Sequence, residues 1–237
     1  MGERVYAGCV YIDQVERLCI DLAKQLFSAE FADVRPVSGV CANLVVYTAF
    51  TSPGDRMLAL AIPNGGHIST GRRDFSGTAG AVHGLEVEYF AFDRKEMNID
   101  VAKTKQKIEK MVKEENKAPK LAMFGGSLFL FPHPVKELAE AFHNVGAMVA
   151  YDAAHVAGLI AGGQFQDPLR EGADAVTLST HKTLFGPQGG TVLSFEKYAE
   201  QIKKATFPSN TSNHHLHTLA GKAIAFAEMM EFGKEYA

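Results

Sequence analysis

Three short apolar runs in this 237-residue chain each end in residues that can do chemistry. The runs are Lys120–Ser127, Ala147–Asp152 and Ala175–Lys182. Segments with helical periodicity separate them, so the alternation predicts an α/β fold with a parallel or mostly parallel sheet covered by helices on both faces. In such sheets, ligands bind outside the carboxyl ends of the strands. We therefore expect the residues that end the three runs to lie at one edge of the sheet.

The residue types at two of these ends suit pyridoxal phosphate chemistry. A lysine amine forms a Schiff base with the cofactor aldehyde, and a carboxylate keeps the pyridine nitrogen protonated so that the ring accepts electrons. Lys182 and Asp152 would fill these two roles. His181 beside the lysine, His155 three residues after the acid, and the glycine-rich segment 186–190, which predicts a turn, strengthen the interpretation.

A helix start upstream offers a place for a phosphate group. Ser38 is suited to cap a helix that runs through Ala42, Val45 and Ala49. The unpaired amides and the dipole at a helix N-terminus bind anions, so Ser38 and Gly39 are the candidate phosphate site. Without the lysine and the acid, an ordinary capped helix would be the preferred interpretation.

Other helices and strands follow from hydrophobic periodicity. One helix carries a stripe of Val15, Leu18, Cys19, Leu22 and Leu26. Further elements are predicted, in chain order, as strands at 57–62 and near 87–92, a helix at 101–115 with Ile108, Met111 and Val112 facing inward, a helix from Pro134 to Gly146, and a helix at 217–236.

Five segments of the chain match one known family. They are Arg4–Cys9 followed by Tyr11 and Asp13, Ser38-Gly39 with Ala42-Asn43, Gly65-Gly66-His67, Asp152-Ala-Ala-His155-Val-Ala-Gly-Leu, and Thr180-His-Lys182-Thr-Leu-x-Gly-Pro-x-Gly-Gly. Through them the chain resembles the serine hydroxymethyltransferase (glycine hydroxymethyltransferase) family over nearly its whole length. The last two segments are the most specific.

The resemblance implies a fold-type I pyridoxal-phosphate-dependent transferase large domain. Residues 1–216 would form this cofactor-binding domain, and residues 217–237 would start a connector helix toward a small C-terminal domain. The implied reaction moves the hydroxymethyl group of serine to a tetrahydrofolate or tetrahydropterin carrier and leaves glycine. A homodimer or homotetramer is implied as well, because the family's site is shared between subunits.

The resemblance also implies roles for individual residues. Lys182 would be the Schiff-base lysine, Asp152 the partner of the pyridine nitrogen, and His67 the residue that stacks on the ring. The remaining implied site residues are Ser38 and Gly39 at the phosphate, Ser127 and His155 near the phenolic oxygen and carboxylate side of the ring, Ser179 and His181 flanking the lysine, and Tyr6 reaching the site from a neighbouring subunit.

The sequence departs from the family pattern at several positions. Val40 replaces a serine that would bond phosphate, and Gln188 replaces an arginine. A glycine-rich loop of the family appears here as Phe207–His214, where close backbone approach is less easily made without glycine. The run after Ser127 is more apolar than the family's.

Two alternatives to the transferase therefore stay open. A related β-hydroxy amino acid aldolase, similar to threonine aldolase, would explain the altered residues without a carrier site. A catalytically incomplete cofactor-binding or assembly fragment would explain why the family's upstream glutamate and later substrate-clamping arginine lie outside this sequence.

Composition argues against several other classes of function. The net charge of −3 gives no electrostatic basis for binding nucleic acid. The apolar stretches fall short of the roughly 20 residues that span a bilayer, so we expect no membrane association. Three cysteines form no even disulfide framework, which favours the cytoplasm. His214, His215 and His217 fit no metal-ligand spacing, so no metal is expected.

Overall fold

The computed structural model describes residues 7–237 of the chain. Its α-helices are α1 (Val10–Leu26), α2 (Gly39–Phe50), α3 (Val101–Lys113), α4 (Val135–His143), α5 (Ala157–Ala161), α6 (Ala199–Lys204) and α7 (Leu216–Tyr236). Its strands are β1 (Phe31–Asp33), β2 (Arg56–Ala59), β3 (Glu86–Tyr89), β4 (Phe92–Asp93), β5 (Asn98–Ile99), β6 (Leu121–Gly125), β7 (Met148–Asp152), β8 (Ala175–His181) and β9 (Phe185–Ser194). Short 3₁₀ or π-helical turns cover Ile62–Asn64, Ile68–Thr70, Arg73–Phe75, Thr78–Val82, Glu196–Tyr198 and Ala205–Asn210.

Seven of these strands form one mixed sheet in the order β1-β9-β8-β7-β6-β2-β3. The neighbours from β8 across to β3 pair in parallel, while β9 pairs antiparallel with both β8 and β1. The strands β4 and β5 form a separate antiparallel pair. The predicted α/β class with a mostly parallel sheet is confirmed.

The core lies on both faces of the sheet, because the central strands alternate between two apolar clusters. On β6, Leu121 and Met123 belong to one cluster, while Ala122 and Phe124 belong to the other. All four side chains are fully buried. A strand covered on both faces must be apolar throughout, and this is why the run reads as continuously hydrophobic rather than alternating.

Helix α2 begins where the sequence predicts. Ser38 has an extended backbone, and its Oγ accepts a hydrogen bond from the amide of Cys41 at 3.1 Å. This is the N-cap geometry that satisfies one of the unpaired amides of the first turn. The helix packs against β8 and β9, so its N-terminus is held at the carboxyl edge of the sheet.

Several local predictions are wrong. Segment 186–190 is not a turn: it forms the first half of β9, because the chain reverses earlier and pairs His181 with Phe185. The strand predicted at 57–62 ends at Ala59, before a 3₁₀ turn. The side chain of Val112 was expected to face inward but is 38% exposed, and Leu18, a member of the predicted stripe of α1, is 54% exposed.

The predicted stripe of α1 faces the core except at Leu18, since Cys19 is buried and Val15, Leu22 and Leu26 pack against the core. Glu16, Cys19 and Ala23 are its buried residues, and the helix packs along α7. The helix predicted at 217–236 is confirmed as α7. Within residues 7–237, no helix has both the length and the apolar character needed to cross a membrane. The division of the chain at residue 216 stays a prediction.

Candidate active site

The carboxyl ends of three adjacent parallel strands meet at one edge of the sheet. β6 ends at Gly125, β7 at Asp152 and β8 at His181, and these strands are direct neighbours. Lys182 follows β8 immediately. The predicted convergence of the lysine and the acid at this edge is confirmed.

A cavity opens at this edge, between the strand ends and the N-terminus of α2. Its lining contains most of the predicted site residues, namely Ser38, Gly39, His67, Asp152, Ser179, His181 and Lys182. The other lining residues are Val40, Asn43, Ala154 and Gln188. The two departures from the family pattern at positions 40 and 188 therefore face the same cavity.

Of the predicted site residues that lie within 7–237, two are absent from this lining. The imidazole of His155 contacts Lys182, with its Nε2 atom 3.0 Å from the lysine Nζ. Ser127 lies two residues beyond β6, where its amide donates to the carbonyl of Gly65 at 2.8 Å. Tyr6 falls outside the described residues, and its role stays a prediction.

Asp152 is 3% exposed, and both of its carboxylate oxygens accept hydrogen bonds from N–H groups. Oδ1 accepts from the amide of Ala154 at 3.0 Å, and Oδ2 accepts from Nδ2 of Asn43 at 2.8 Å. An ionised carboxylate is an acceptor only, so two N–H donors suit the charged form. The site thus holds a buried negative charge at the end of β7.

Lys182 and His155 form a close pair. Burial and the positive charge of Lys182 lower the pKa of His155. His155 is therefore neutral at pH 7, and its Nε2 accepts a hydrogen bond from the lysine. The backbone of His155 is fixed in turn, because its carbonyl accepts from the hydroxyl of Thr183 at 3.0 Å.

The end of the cavity at α2 is narrow. A Cβ atom added at Gly39 would lie 2.5 Å from Oγ of Ser179, and one added at Gly190 would lie 2.2 Å from the carbonyl oxygen of Ser38. Glycine at both positions lets the chain at the helix start approach β8 and β9. The N-terminus of α2 is thereby brought against the strand that carries Ser179.

Three buried polar residues connect the predicted site residues to one another. The sequence alone assigned them no role. They are Asn43, Ser69 and Thr177. Asn43 bonds Asp152, Ser69 and Thr177, while Oγ of Ser69 lies 2.7 Å from Nδ1 of His67. Burial lowers the pKa of His67, with the positive charge of Lys182 acting in the same direction and Asp152 opposing both. A polar residue at an apolar helix position, as Asn43 is in α2, was the available sequence signal.

The histidines near residue 215 lie apart from this cavity. Nε2 of His214 is 3.1 Å from a carboxylate oxygen of Glu16 on α1, and the ring of His215 stacks on that of His217. In the part of the chain from residue 7 onward, no group of three or more His, Cys, Asp or Glu side chains is placed to hold a metal ion.

A mostly parallel sheet with a lysine, a buried acid and a helix N-terminus at its carboxyl edge is the architecture of fold-type I enzymes. A family model described as serine hydroxymethyltransferase matches residues 1–237. The chain therefore belongs to the serine hydroxymethyltransferase family.

Named relatives agree with the family model. Serine hydroxymethyltransferases of Nitrosopumilus maritimus and Cenarchaeum symbiosum are 66% and 67% identical to the chain over 236 residues, and that of Methanocaldococcus jannaschii is 55% identical over the same length. Each alignment covers 100% of this chain and 53% of the relative. The chain thus spans about half the length of the curated relatives that it matches.

Proposed function

We propose that this chain is the pyridoxal-phosphate-binding large domain of a serine hydroxymethyltransferase. The proposed reaction transfers the hydroxymethyl group of serine reversibly to a tetrahydrofolate or tetrahydropterin carrier and yields glycine. The observation that carries the proposal is the single cavity shared by Lys182, Asp152, His67 and the N-terminus of α2, in a chain that matches the family throughout.

The residues of the cavity fit the chemical groups of the cofactor. The amides and dipole at the N-terminus of α2, with Ser38 as its cap, suit a phosphate dianion. Asp152 offers a buried acceptor for a protonated ring nitrogen, and His67 offers a flat face beside the ring. When bound, pyridoxal phosphate would supply an aldehyde for Lys182 and a ring that withdraws electrons from the substrate.

Each residue then has a separate task. His155, neutral and hydrogen-bonded to Lys182, accepts a proton from the ammonium and leaves a nucleophilic amine. Asp152 would keep a proton on the ring nitrogen through its negative charge, while Asn43 and Ala154 hold the carboxylate in place. Ser38 and Gly39 would hold the phosphate, and Ser179 and His181 line the cavity with the lysine.

The visible absorbance spectrum tests cofactor binding, and product analysis tests the reaction. We expect a new visible absorbance band when pyridoxal phosphate is added, because a Schiff base to a lysine extends the conjugation of the ring. We expect the band to change when glycine is added. The same preparation is then given serine and tetrahydrofolate, and glycine is measured. Absence of the band in the unmodified chain would overturn the proposal.

Two related functions are decided by the same experiment. Release of glycine from threonine without any carrier would favour an aldolase. Cofactor binding with no turnover of serine or threonine would favour a catalytically incomplete fragment.

The remaining parts of the proposal rest on family membership. They are a cytoplasmic location, a homodimer or homotetramer whose sites are shared between subunits, and a boundary near residue 216 where α7 starts the connector to a small domain. Tyr6 would reach the site of a neighbouring subunit. Sedimentation of the chain with and without pyridoxal phosphate tests the oligomeric state.

A further inference from the structure

Asn43 lies at the centre of a buried hydrogen-bond network in the wall of the cavity. Its side chain is 1% exposed, and those of Ser69 and Thr177 are fully buried. Nδ2 of Asn43 lies 2.8 Å from Oγ of Ser69 and 2.8 Å from Oδ2 of Asp152, while its Oδ1 accepts from the hydroxyl of Thr177. All the polar atoms of the amide are therefore engaged.

The orientation of the Asn43 amide follows from its partners. A carboxylate can only accept, so the atom of Asn43 that faces Asp152 must be the NH₂ group. Its second N–H then points to Oγ of Ser69, and its oxygen faces Thr177. A reversed amide would set its oxygen against a negative charge in a buried site.

The direction of the next hydrogen bond follows as well. The backbone amide of Ser69 donates to Nδ1 of His67 at 3.1 Å, so this nitrogen carries no proton. The hydroxyl of Ser69, 2.7 Å from the same nitrogen, accepts from Asn43 and donates to His67. The neutral ring then carries its proton on Nε2.

We propose that Asn43 is a positioning residue that fixes His67, through Ser69, and Asp152, directly, in one mutual arrangement. The inference rests on the proposed function, in which His67 and Asp152 contact the cofactor ring. One side chain thereby sets the histidine that stacks on the ring and the acid that faces its nitrogen. Loss of Asn43 should disturb both groups together.

The titration of His67 in the cofactor-free chain reports on this network. The charged and titratable groups that act on His67 are Asp152 at the end of β7, Lys182 after β8, and His155. In Asn43→Leu the hydroxyl of Ser69 no longer accepts from residue 43, so it can accept a hydrogen bond from a protonated His67. In Ser69→Ala that donor is removed. In both variants we expect the pKa of His67 to rise by about 0.5 to 1 pH unit, the worth of one hydrogen bond.

Heteronuclear NMR measures this pKa, with the His67 signals assigned by comparison with His67→Gln. The matched control is Ser194→Ala, which removes a fully buried serine hydroxyl that bonds the carbonyl of Asp174 away from the cavity. We expect the titration of His67 to be unchanged in this control. An unchanged titration in both Asn43→Leu and Ser69→Ala would overturn the inference.

Cofactor affinity supplies the second measurement. In Asn43→Leu we expect the dissociation constant for pyridoxal phosphate to rise about tenfold, and in Ser69→Ala by less, because Ser69→Ala leaves the bond to Asp152 intact. A shifted titration with unchanged affinity would contradict the positioning role. If the unmodified chain bound no pyridoxal phosphate, the proposed function would fail, while the NMR titration would still decide whether Asn43 orients His67.

Discussion

The Nζ atom of Lys182 lies 3.0 Å from Nε2 of His155, so the amine is paired with a group that can accept its proton. The two residues come from consecutive parallel strands, since His155 follows β7 and Lys182 follows β8. Burial and the charge of Lys182 keep the histidine neutral, in the state that accepts a proton. The pair sits beside Asp152, at the edge where the sheet binds ligands.

Replacing His155 should slow the attachment of pyridoxal phosphate to Lys182. In His155→Phe the lysine loses its proton acceptor, and we expect the rate of formation of the visible band to fall about 10- to 100-fold, the lower range for a general base. Stopped-flow absorbance measures the rate. His143→Asn is the control, because His143 bonds Asp174 on the far side of the domain. Equal rates in His155→Phe and the unmodified chain would contradict this role.

Gly39 should be intolerant of a side chain as long as Ser179 keeps its hydroxyl. The added Cβ would lie 2.5 Å from Oγ of Ser179, but 3.6 Å from its Cβ. In Gly39→Ala we expect about tenfold weaker binding of pyridoxal phosphate, because the start of α2 is pushed from β8. The double variant with Ser179→Ala should recover affinity to that of Ser179→Ala alone. Absorbance titration measures the affinity. If the losses of affinity in the two single variants add in the double variant, the contact between residues 39 and 179 does not cause the weaker binding.

His133 should make the fold sensitive to acid. It is 3% exposed, its Nδ1 accepts from the amide of Gly125, and burial lowers its pKa to about 4. Between the ordinary pKa of 6.5 and about 4, the unfolded chain binds a proton that the folded chain does not, so the free energy of unfolding falls as the pH falls. We expect this loss to reach about 3 kcal/mol.

The variant His133→Asn isolates this contribution. Asparagine keeps an acceptor for Gly125 but does not titrate, so the difference in unfolding free energy between the unmodified chain and the variant should shrink as the pH falls from 6.5 to 4. Urea unfolding followed by circular dichroism measures it at each pH. A difference that stays constant with pH would refute the assignment.

Lys222 should produce a pH dependence of the same sign at alkaline pH. This lysine of α7 is 2% exposed, its Nζ donates to the carbonyls of Val34, Pro36 and Gly190, and burial lowers its pKa to about 8. Between about 8 and the ordinary 10.5, the unfolded chain holds a proton that the folded chain has released, so this lysine makes the free energy of unfolding rise with pH.

Lys222→Met removes that rise. Cys19, whose pKa burial raises to about 12, acts in the opposite direction above its ordinary value of 9.0, and its contribution largely cancels when the two proteins are compared. We expect the unmodified chain to gain up to about 3 kcal/mol relative to Lys222→Met between pH 8 and 10.5. Chemical unfolding at several pH values measures the gain, and parallel stability curves would disprove it.

Much of the fold was predictable because the buried strands are continuously apolar and their ends carry the polar residues of the site. The buried runs that form β6, β7 and β8 are continuously apolar, and the polar residue that ends each run lies at the carboxyl edge. The N-cap of α2 was equally readable from Ser38 and the apolar residues after it. The lysine, the acid and the helix start could therefore be brought together from sequence.

The parts of the fold and of the site that the sequence did not predict depend on tertiary contacts. The segment 186–190 contains glycines and a proline, which favour a turn locally, yet it pairs with β8 because the chain has already reversed between His181 and Phe185. The roles of Asn43 and Ser69 depend on long-range contacts. Asn43 bonds Ser69, which is 26 positions away along the chain, and Asp152, which is 109 positions away. Periodicity identifies buried positions, but not which buried polar groups meet.

The central claim is that Lys182 is the residue that captures pyridoxal phosphate, and chemical trapping tests it most directly. The chain is incubated with pyridoxal phosphate, reduced with borohydride and digested, and the modified lysine is located by peptide mass spectrometry. Our account predicts one dominant adduct on Lys182, lost in Lys182→Gln. Labelling spread over surface lysines, with none on Lys182, would contradict it.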